Sequence, residues 1–365
     1  MISSELYPIL KKVFDLNKPR LECLVNIIMS LISFRSVCLS VLAAGLTGDA
    51  QLDSKTKRIK RLLAHWPARM DWLGPYLLSW FYDLANARVE LTIDRTNWSF
   101  GKTQINFLMI CVVYKNTGIP FMLTLFNKKG NSNTQERIQL MERVLKYIKP
   151  KQIINLSADR EFIGEVWFKW LSDHQIPFKI RLKHNLNVPA RNGMIIRIDW
   201  LFNNLKPGDK TSLLGKWFVL NQPMYLSASR LKSGELMIIG SSDKAGCAVQ
   251  HYFKRWSIET FFQNLKSRGF NLESTHLIET QRLVALMQIL MIASCWSLKS
   301  GETMLTAQQK TLPRNLKTGR LKISLFKYGL DQIRQAFSRR FTGRHDHLLI
   351  EMWCHLKISP LLIIF

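Results

Sequence analysis

The sequence predicts an α/β protein in which a mixed sheet is flanked by helices. Three apolar segments joined by turn signals follow one another from residue 89, and helical and strand-like patterns then alternate to residue 184. Such alternation is typical of a sheet covered by helices. Helical patterns before residue 89 and short strand candidates after residue 184 add an N-terminal helical domain and a β-rich insertion.

The composition is that of a globular protein with an unusual charge. Of the 365 residues, 47% are hydrophobic and 21% are charged, which is enough apolar material for a large core. Lysine and arginine number 52 against 26 acidic residues, a formal net charge of +26 that is spread along the chain. This excess favours a polyanionic partner, with nucleic acid first and an anionic membrane second.

Cysteine usage and the apolar segments indicate a reducing, aqueous compartment. Six cysteines are scattered without a Cys-x-x-Cys pair, which argues against a zinc site and a disulfide framework. The N-terminus has no apolar core of the signal-peptide type. The longest apolar run, Leu283–Leu298, is short for a membrane span and contains Gln288. We therefore expect a soluble, cytoplasmic protein with no membrane partner and a buried helix over Gln281–Lys299.

Residues 1–88 predict a helical, basic, DNA-binding domain. Asn26–Ala44 is apolar with helical spacing, glycines follow it, and Lys55–His65 predicts a second, basic helix. Helix, glycine-containing turn and basic helix resemble a helix-turn-helix, and a small helical bundle with a solvated basic face has the same pattern. The candidate DNA contacts on the second helix are Lys57, Arg58 and Arg61.

Residues 89–184 predict the first part of the sheet. Asp94 ends the first strand and Asp159 follows the fourth, and open sheets build their sites at such strand ends. The predicted helices between the later strands are Asn131–Ile148 and Phe162–His174. The predicted strands are Val89–Asp94, Asn106–Tyr114, Ile119–Phe126, Gln152–Leu156 and Pro177–Leu182.

The remaining chain divides into three regions. Residues 185–247 predict the β-rich insertion, residues 248–300 the second part of the core, and residues 301–365 a basic C-terminal region. Glycine and proline separate the short strands of the insertion, which are Trp217–Leu220, Met224–Ser229 and Leu236–Gly240.

A helix predicted over His251–Lys266 carries one stripe of functional side chains. Its members are spaced i, i+3, i+7 and i+14, and at about 100° per residue they fall within a sector of roughly 60°. One acid flanked by two cations and a phenol predicts a phosphate-binding edge. The members of the stripe are Tyr252, Arg255, Glu259 and Lys266.

Three carboxylates are candidates for a metal site, namely Asp94, Asp159 and Glu259. Phosphoryl transfer by paired metals needs clustered carboxylates that hold two Mg²⁺ ions roughly 3.5–4 Å apart. Hard cations take oxygen ligands, which these side chains supply. A turn or cap role is the commoner one for a single aspartate, so the positions alone leave both readings open.

The signature stripe carries a specific resemblance. The spacing Tyr252-x2-Arg255-x3-Glu259-x6-Lys266 matches the Y-R-E-K signature of the DDE transposases of bacterial insertion sequences, the IS-four family. The segment at 94–98 (DRTNW) resembles the first-aspartate motif of that family, and the segment at 157–162 (SADREF) resembles the second. The basic stretch at 55–63 is similar to its N-terminal segment.

The resemblance implies an RNase H-like core in which Asp94, Asp159 and Glu259 are catalytic and bind two Mg²⁺ ions, for which Mn²⁺ can substitute. It also implies cut-and-paste transposition. Water nicks the element end, the freed 3′-hydroxyl attacks the opposite strand to form a hairpin, the hairpin reopens, and the 3′-end attacks target DNA.

The implied partners are double-stranded DNA, as terminal inverted repeats and as target, and a second copy of the chain in the synaptic complex. The implied location is the bacterial cytoplasm, in association with the nucleoid.

The same resemblance assigns the DNA contacts near the scissile end. Arg255 would bind phosphate through its planar fork, Lys266 as a point charge and Tyr252 through its hydroxyl. We expect Arg255 and Lys266 to hold the DNA backbone, a role in which they need not neutralise Glu259 as salt-bridge partners. Further candidate contacts are Arg95, Asn97 and Arg160, and candidate stacking partners for a flipped base are Trp98 and Trp217.

Two other functions share these sequence features. One is a catalytically inactive DNA-binding relative that inhibits transposition, which the apolar tail Ser359–Phe365 suggests because truncation would leave such an end. The other is a metal-dependent nuclease that cuts without joining. The presence of all three acids and all four signature residues argues against the inactive relative.

Overall fold

The structure is a computed structural model that describes residues 2–67, 70–126, 128–190, 192–244, 248–315, 319 and 321–340. The predicted apolar tail and the last part of the predicted basic C-terminal region lie outside those residues. The described residues divide into two units. The first unit comprises the described parts of Met1–Tyr82, Trp98–Ile105 and Phe262–Phe365, and the second those of Asp83–Asn97 and Asn106–Phe261. The domain boundaries predicted above stay a prediction.

The helices and strands of the described residues are numbered in chain order. The helices are α1 (Ile2–Lys11), α2 (Lys18–Phe34), α3 (Leu39–Ala44), α4 (Leu52–Ala64), α5 (Leu73–Ser79), α6 (Thr134–Leu145), α7 (Glu165–Asp173), α8 (Ala248–Phe253), α9 (Trp256–Leu265), α10 (Thr280–Ala307) and α11 (Leu325–Arg340). The strands are β1 (Val89–Phe100), β2 (Thr103–Tyr114), β3 (Thr117–Phe126), β4 (Ile153–Ala158), β5 (Phe178–Leu182), β6 (Asn187–Pro189), β7 (Ile195–Arg197), β8 (Lys210–Ser212), β9 (Trp217–Val219), β10 (Gln222–Arg230) and β11 (Leu236–Ser241).

The first unit is organised around α10, which packs against α2, α4, α5 and α11. By length and composition α10 is able to cross a membrane, but 89% of its apolar window is buried inside the protein. Gln288, which interrupts the apolar run, is buried and accepts a hydrogen bond of 2.6 Å from the indole N–H of Trp66. These properties are those of the core helix of a globular unit.

The apolar N-terminal segment forms two helices, where the sequence predicts one over Asn26–Ala44. α2 ends at Phe34, because its capping residue Arg35 has φ of 54°, in the left-handed region that a helix cannot continue through. α3 begins four residues later. The basic helix after it is confirmed as α4, in which Ile59, Leu62 and Leu63 are buried.

The second unit is built on a mixed sheet with the strand order β3-β2-β1-β4-β5-β11-β10-β8, and β9 pairs with β10. β1, β4 and β5 run parallel, whereas β3 pairs with β2, β11 with β5 and β10 with β11 in the antiparallel sense. The helix α7 connects the parallel neighbours β4 and β5, as a parallel pair requires, and α6 connects β3 to β4. The predicted mixed sheet is confirmed, and four strands of the predicted insertion, β8 to β11, belong to it.

The pairing of β1 with β4 brings two aspartates together. Ile93 pairs with Ala158, so Asp94 and Asp159 are the next residues on neighbouring parallel strands. Successive side chains of a strand point to opposite faces, so both aspartates lie on the face opposite Ile93 and Ala158. The prediction that Asp94 ends its strand is wrong, because β1 continues to Phe100, but the parallel pairing with β4 does end before it.

Helices cover both faces of this sheet. Leu156 precedes Asp159 by three residues, so by the alternation of a strand it lies on the opposite face. Phe178 pairs with Leu156 and lies on that same face, away from the aspartates. There it stacks on Phe168 of α7, with ring centroids 5.3 Å apart. On the aspartate face, α8 packs against β11 in an apolar cluster made of Met237, Ile239, Ala248, Val249 and Tyr252.

The signature segment is two helices, where the sequence predicts a single one over His251–Lys266. α8 and α9 are separated by a turn at Lys254 and Arg255. Glu90 of β1 accepts a hydrogen bond of 2.7 Å from Lys254 Nζ and lies 3.3 Å from His251 Nδ1. These contacts tie the turn to the strand that carries Asp94.

The capping box of α6 provides a test of the fold. Asn133 Oδ1 accepts from the N–H of Glu136, whose side chain accepts from the N–H of Asn133. We expect Asn133→Ala to lower the free energy of unfolding by about 1 kcal/mol, because a helix-terminal N–H loses its acceptor. Asn133→Gly should lower it by only a few tenths of a kcal/mol. Urea unfolding of both variants measures the difference, and equal losses would contradict the cap.

Candidate active site

Asp94 of β1, Asp159 after β4 and Glu259 of α9 are linked through two side chains of the signature segment. Arg255 Nη1 donates to Asp94 Oδ2 at 2.9 Å, and Arg255 Nη2 donates to Glu259 Oε1. The Tyr252 hydroxyl donates to Asp159 Oδ1 at 3.3 Å. The structure therefore brings together five of the residues that the sequence predicts for the site.

Each aspartate is also held by its own backbone. Asp94 Oδ1 accepts from the N–H of Arg95 at 2.8 Å, and Asp159 Oδ1 accepts from the N–H of Arg160 at 2.7 Å. Hydrogen bonds to an ionised carboxylate are strong, so each of these contacts restricts the rotation of its side chain. The two carboxylates thus have a fixed direction before any ligand arrives.

Burial governs the charge states of this cluster. The side chains of Arg255 and Asp94 are 8% and 17% exposed. Burial raises the pKa of Asp94 to about 6, although Arg255 offsets part of the rise. Burial acts to lower the pKa of Arg255, but Tyr252 and the surrounding carboxylates outweigh it and raise that pKa overall. Burial also raises the pKa of Tyr252, which therefore remains a neutral hydroxyl donor.

The three acids have the chemistry of a divalent-cation site, since carboxylate oxygens are the ligands that Mg²⁺ prefers. Among the described residues, however, no group of three or more His, Cys, Asp or Glu side chains is gathered to hold a metal ion. The guanidinium of Arg255 lies between two of them and bridges Asp94 and Glu259. A buried cation between two carboxylates marks a place that favours positive charge. The residues therefore fit a metal, provided that Arg255 releases at least one acid.

The two basic members of the signature differ in their surroundings. Arg255 nevertheless pairs with Glu259, because it immediately precedes α9 and residues at i and i+4 are neighbours at the start of a helix. Lys266 follows the end of α9 and belongs to the first unit, where its ammonium pairs with Glu273 at 2.7 Å.

The other predicted DNA contacts are placed as follows. Arg160 is exposed, whereas Arg95 is directed to acceptors within the protein. On α4, Lys57 and Arg61 are exposed, and Arg58 lies 3.9 Å from Glu22. The DNA-binding roles of these residues stay predictions.

The predicted stacking partners are less accessible than expected. Trp98 is 7% exposed, and Trp217 on β9 is half-buried. Trp256, which the sequence argument passed over, is 58% exposed, and its ring centre lies 5.9 Å from Arg255 Cζ. The sequence did contain a signal for Trp256 as a stacking candidate, because this residue directly follows Arg255 of the signature.

Three further residues were missed by the sequence argument. Glu90 faces the same side of β1 as Asp94, and the alternation of a strand was sufficient to suggest this. Glu161 follows Asp159 by two residues and pairs with Arg95, and Arg137 donates to the carbonyl oxygen of Glu161, over sequence distances that no local pattern indicates.

Replacement of Arg255 tests its role as the cation of the cluster. In the absence of metal, Arg255→Met should lower the free energy of unfolding by about 3 kcal/mol, because two partly buried carboxylates lose their counter-ion. Mg²⁺ should then stabilise this variant more than the wild type, since no guanidinium competes for the acids. Thermal unfolding with and without Mg²⁺ measures both effects.

Arg197→Met is the matched control for this experiment. Arg197 pairs with Asp199 but is 47% exposed, so its replacement should change neither the stability nor the response to Mg²⁺ appreciably. Equal Mg²⁺ stabilisation of the wild type and Arg255→Met would show that Arg255 does not compete with the metal.

Comparison with known protein families identifies one match. The family described as "Transposase DDE domain" matches residues 86–296, which is more than half of the chain and includes Asp94, Asp159, Arg255 and Glu259. No curated protein matches the chain. The match and the strand order together confirm the α/β, RNase H-like fold.

Proposed function

The chain belongs to the transposase DDE domain family, and we propose that it is an active transposase of the IS-four type that moves an insertion sequence by cut-and-paste. The observation that supports this most is the side-by-side placement of Asp94 and Asp159, with Glu259 joined to Asp94 through Arg255. The two aspartates come from neighbouring strand positions, and Arg255 links the glutamate of α9 to one of them.

The reaction that we propose is a series of displacements at phosphorus. Water cleaves the element end, and the freed 3′-hydroxyl attacks the opposite strand to form a hairpin. Water then hydrolyses the hairpin and releases the 3′-hydroxyl, which attacks a phosphodiester of target DNA and joins to it. Because the reacting group is a phosphodiester each time, one site can perform all the steps. The joining of the 3′-end to target DNA separates this function from that of a nuclease, which cuts without joining.

Asp94, Asp159 and Glu259 are the residues that would hold Mg²⁺, or Mn²⁺ in its place. A pair of such ions, when bound, supplies an activated attacking oxygen and stabilises the leaving oxygen. The family uses divalent metal ions in general.

Tyr252 and Arg255 would bind the phosphate next to the reacting bond. Tyr252 is suited to this because its hydroxyl keeps its proton and can donate without adding charge. Arg255 always carries charge and presents a planar fork that matches two phosphate oxygens. When Arg255 binds phosphate in this proposal, its ion pairs with Asp94 and Glu259 break, and both carboxylates become available to bind metal.

Double-stranded DNA is the partner of this family, and we propose the terminal inverted repeats and the target as its two forms. The exposed cations of α4 would contact the repeats, together with Lys266 and Arg160. Because an element has two ends, we propose that two copies of the chain act in the synaptic complex. The chain would act in the bacterial cytoplasm, at the nucleoid.

Replacement of the glutamate tests the catalytic assignment. We expect Glu259→Gln to abolish Mg²⁺-dependent cleavage of DNA that carries an element end, because an amide is a poor ligand for Mg²⁺. Binding of the same DNA should persist, because no DNA-contacting cation is removed. Gel assays of cleavage and of binding measure the two properties on one preparation.

The control for this variant is Glu142→Gln, the same chemical change on the exposed side of α6. It should leave cleavage unchanged. Cleavage by Glu259→Gln at the wild-type rate would contradict the catalytic assignment. A wild-type protein that binds but never cleaves would be the inactive relative, and one that cleaves without joining would be a nuclease.

The basic helix α4 provides a test of DNA binding. Log affinity should fall steeply with log salt, because phosphate neutralisation releases counter-ions. Lys57→Ala and Arg61→Ala should each reduce the steepness by about one unit. Lys146→Ala, an exposed change at the residue that follows α6, is the control and should leave the slope unchanged. Fluorescence anisotropy at several salt concentrations measures the slopes, and equal slopes for all variants would remove α4 from the interface.

A further inference from the structure

A second charged cluster lies on the face of the sheet opposite Asp94. Arg95 is the next residue of β1, so its side chain points the other way. Its guanidinium donates to Glu161 through Nε at 2.6 Å and through Nη2 at 2.8 Å, which makes a bidentate pair. All five guanidinium N–H groups are engaged in the protein. The remaining acceptors are Asn106 Oδ1, Asn131 Oδ1 and the carbonyl oxygen of Gly130.

Arg137 of α6 holds the same segment from a different direction. It is 4% exposed, and its Nη2 donates to the carbonyl oxygen of Glu161 at 2.9 Å. Nη1 donates to the carbonyl oxygen of Ile163 at 3.3 Å, and further hydrogen bonds run to Ser132. A buried cation is unfavourable unless its N–H groups are satisfied, so this arrangement constrains the segment that begins with Asp159.

We propose that Glu161 is a positioning residue that sets the distance between the carboxylates of Asp94 and Asp159. It lies two residues after Asp159 and pairs with the residue that follows Asp94. The pair therefore joins β1 to the segment after β4 on the face opposite the two carboxylates. In this proposal Arg95 acts within the protein, in place of the DNA contact that the sequence predicts.

The role of Glu161 rests on the proposed function, because there the two aspartates are metal ligands. Side chains that orient metal ligands without touching the metal affect affinity strongly, and their loss typically weakens metal binding 10–100-fold. Glu161 is suited to this role because it reaches Arg95 through both carboxylate oxygens and α6 through its own carbonyl oxygen.

The test is the Mn²⁺ affinity of Glu161→Gln without DNA, measured by the electron paramagnetic resonance of free Mn²⁺. An amide offers a single acceptor oxygen, so the bidentate pair is lost and the Asp159 segment is released from Arg95. We expect Mn²⁺ binding to weaken about 10-fold or more. Asp159→Asn, measured in parallel, reports whether the proposed site binds the ion.

The matched control is Glu136→Gln. Glu136 pairs with Lys128 at 2.6 Å and is 20% exposed, close to the 23% of Glu161. Both variants lose an ion pair of similar burial, so both should lower the unfolding temperature. Only Glu161→Gln should weaken Mn²⁺ binding, and an equal loss in Glu136→Gln would overturn the positioning role.

The outcomes separate this proposal from the proposed function. If Asp159→Asn loses Mn²⁺ and Glu161→Gln keeps wild-type affinity, the positioning role is wrong and the metal site stands. If neither variant loses affinity, the metal site is wrong and the positioning role falls with it. Arg95→Lys is a second variant should Glu161→Gln not fold, because it keeps the charge but loses the planar fork. It should weaken Mn²⁺ binding in the same direction, and unchanged affinity would overturn the role.

Discussion

The parallel pairing of β1 with β4 is the constraint on which the rest of the site depends. Because Ile93 stands opposite Ala158, the backbone ladder itself brings Asp94 and Asp159 to one place. The contacts of the carboxylates with the signature segment follow from this register, and a shift of one residue would turn a whole strand to the other face. The proximity of the two acids is therefore a property of the sheet.

Acids brought together in this way need a cation, and the chain supplies one in Arg255. Its burial and that of Asp94 are each tolerable only because of the other, as in any buried ion pair. The exposed charges have a different effect. Most of the net charge of +26 is spread over the chain and acts on phosphates from a distance. The one arginine of the site acts over a few ångströms, on acids that would otherwise repel each other.

Features that depend on neighbouring residues were predictable from the sequence, whereas contacts between residues far apart in the sequence were not. The longer strands of the sheet and the helices α6 and α7 were predicted because apolar periodicity is visible in adjacent residues. The interruptions of the helices at Arg35 and Arg255 were not predicted, because neither position is a glycine or a proline. A helical wheel assumes one continuous helix, so it does not reveal a short turn within the segment. The pairing of Arg95 with Glu161 arises only when β1 and β4 are in register.

The two faces of the sheet differ in what a substitution on each would change. On one face stand the side chains that we propose to meet the DNA, and in that proposal Glu259 and its partners can hardly vary without loss of the reaction. On the other face, Arg95 and Arg137 hold the segment after Asp159 through contacts within the protein. In the positioning role proposed for Glu161, changes on that face would alter the spacing of the acids by small steps and leave the acids themselves in place. Selection for a different metal or a slower reaction could then act on the face that we propose the DNA does not contact.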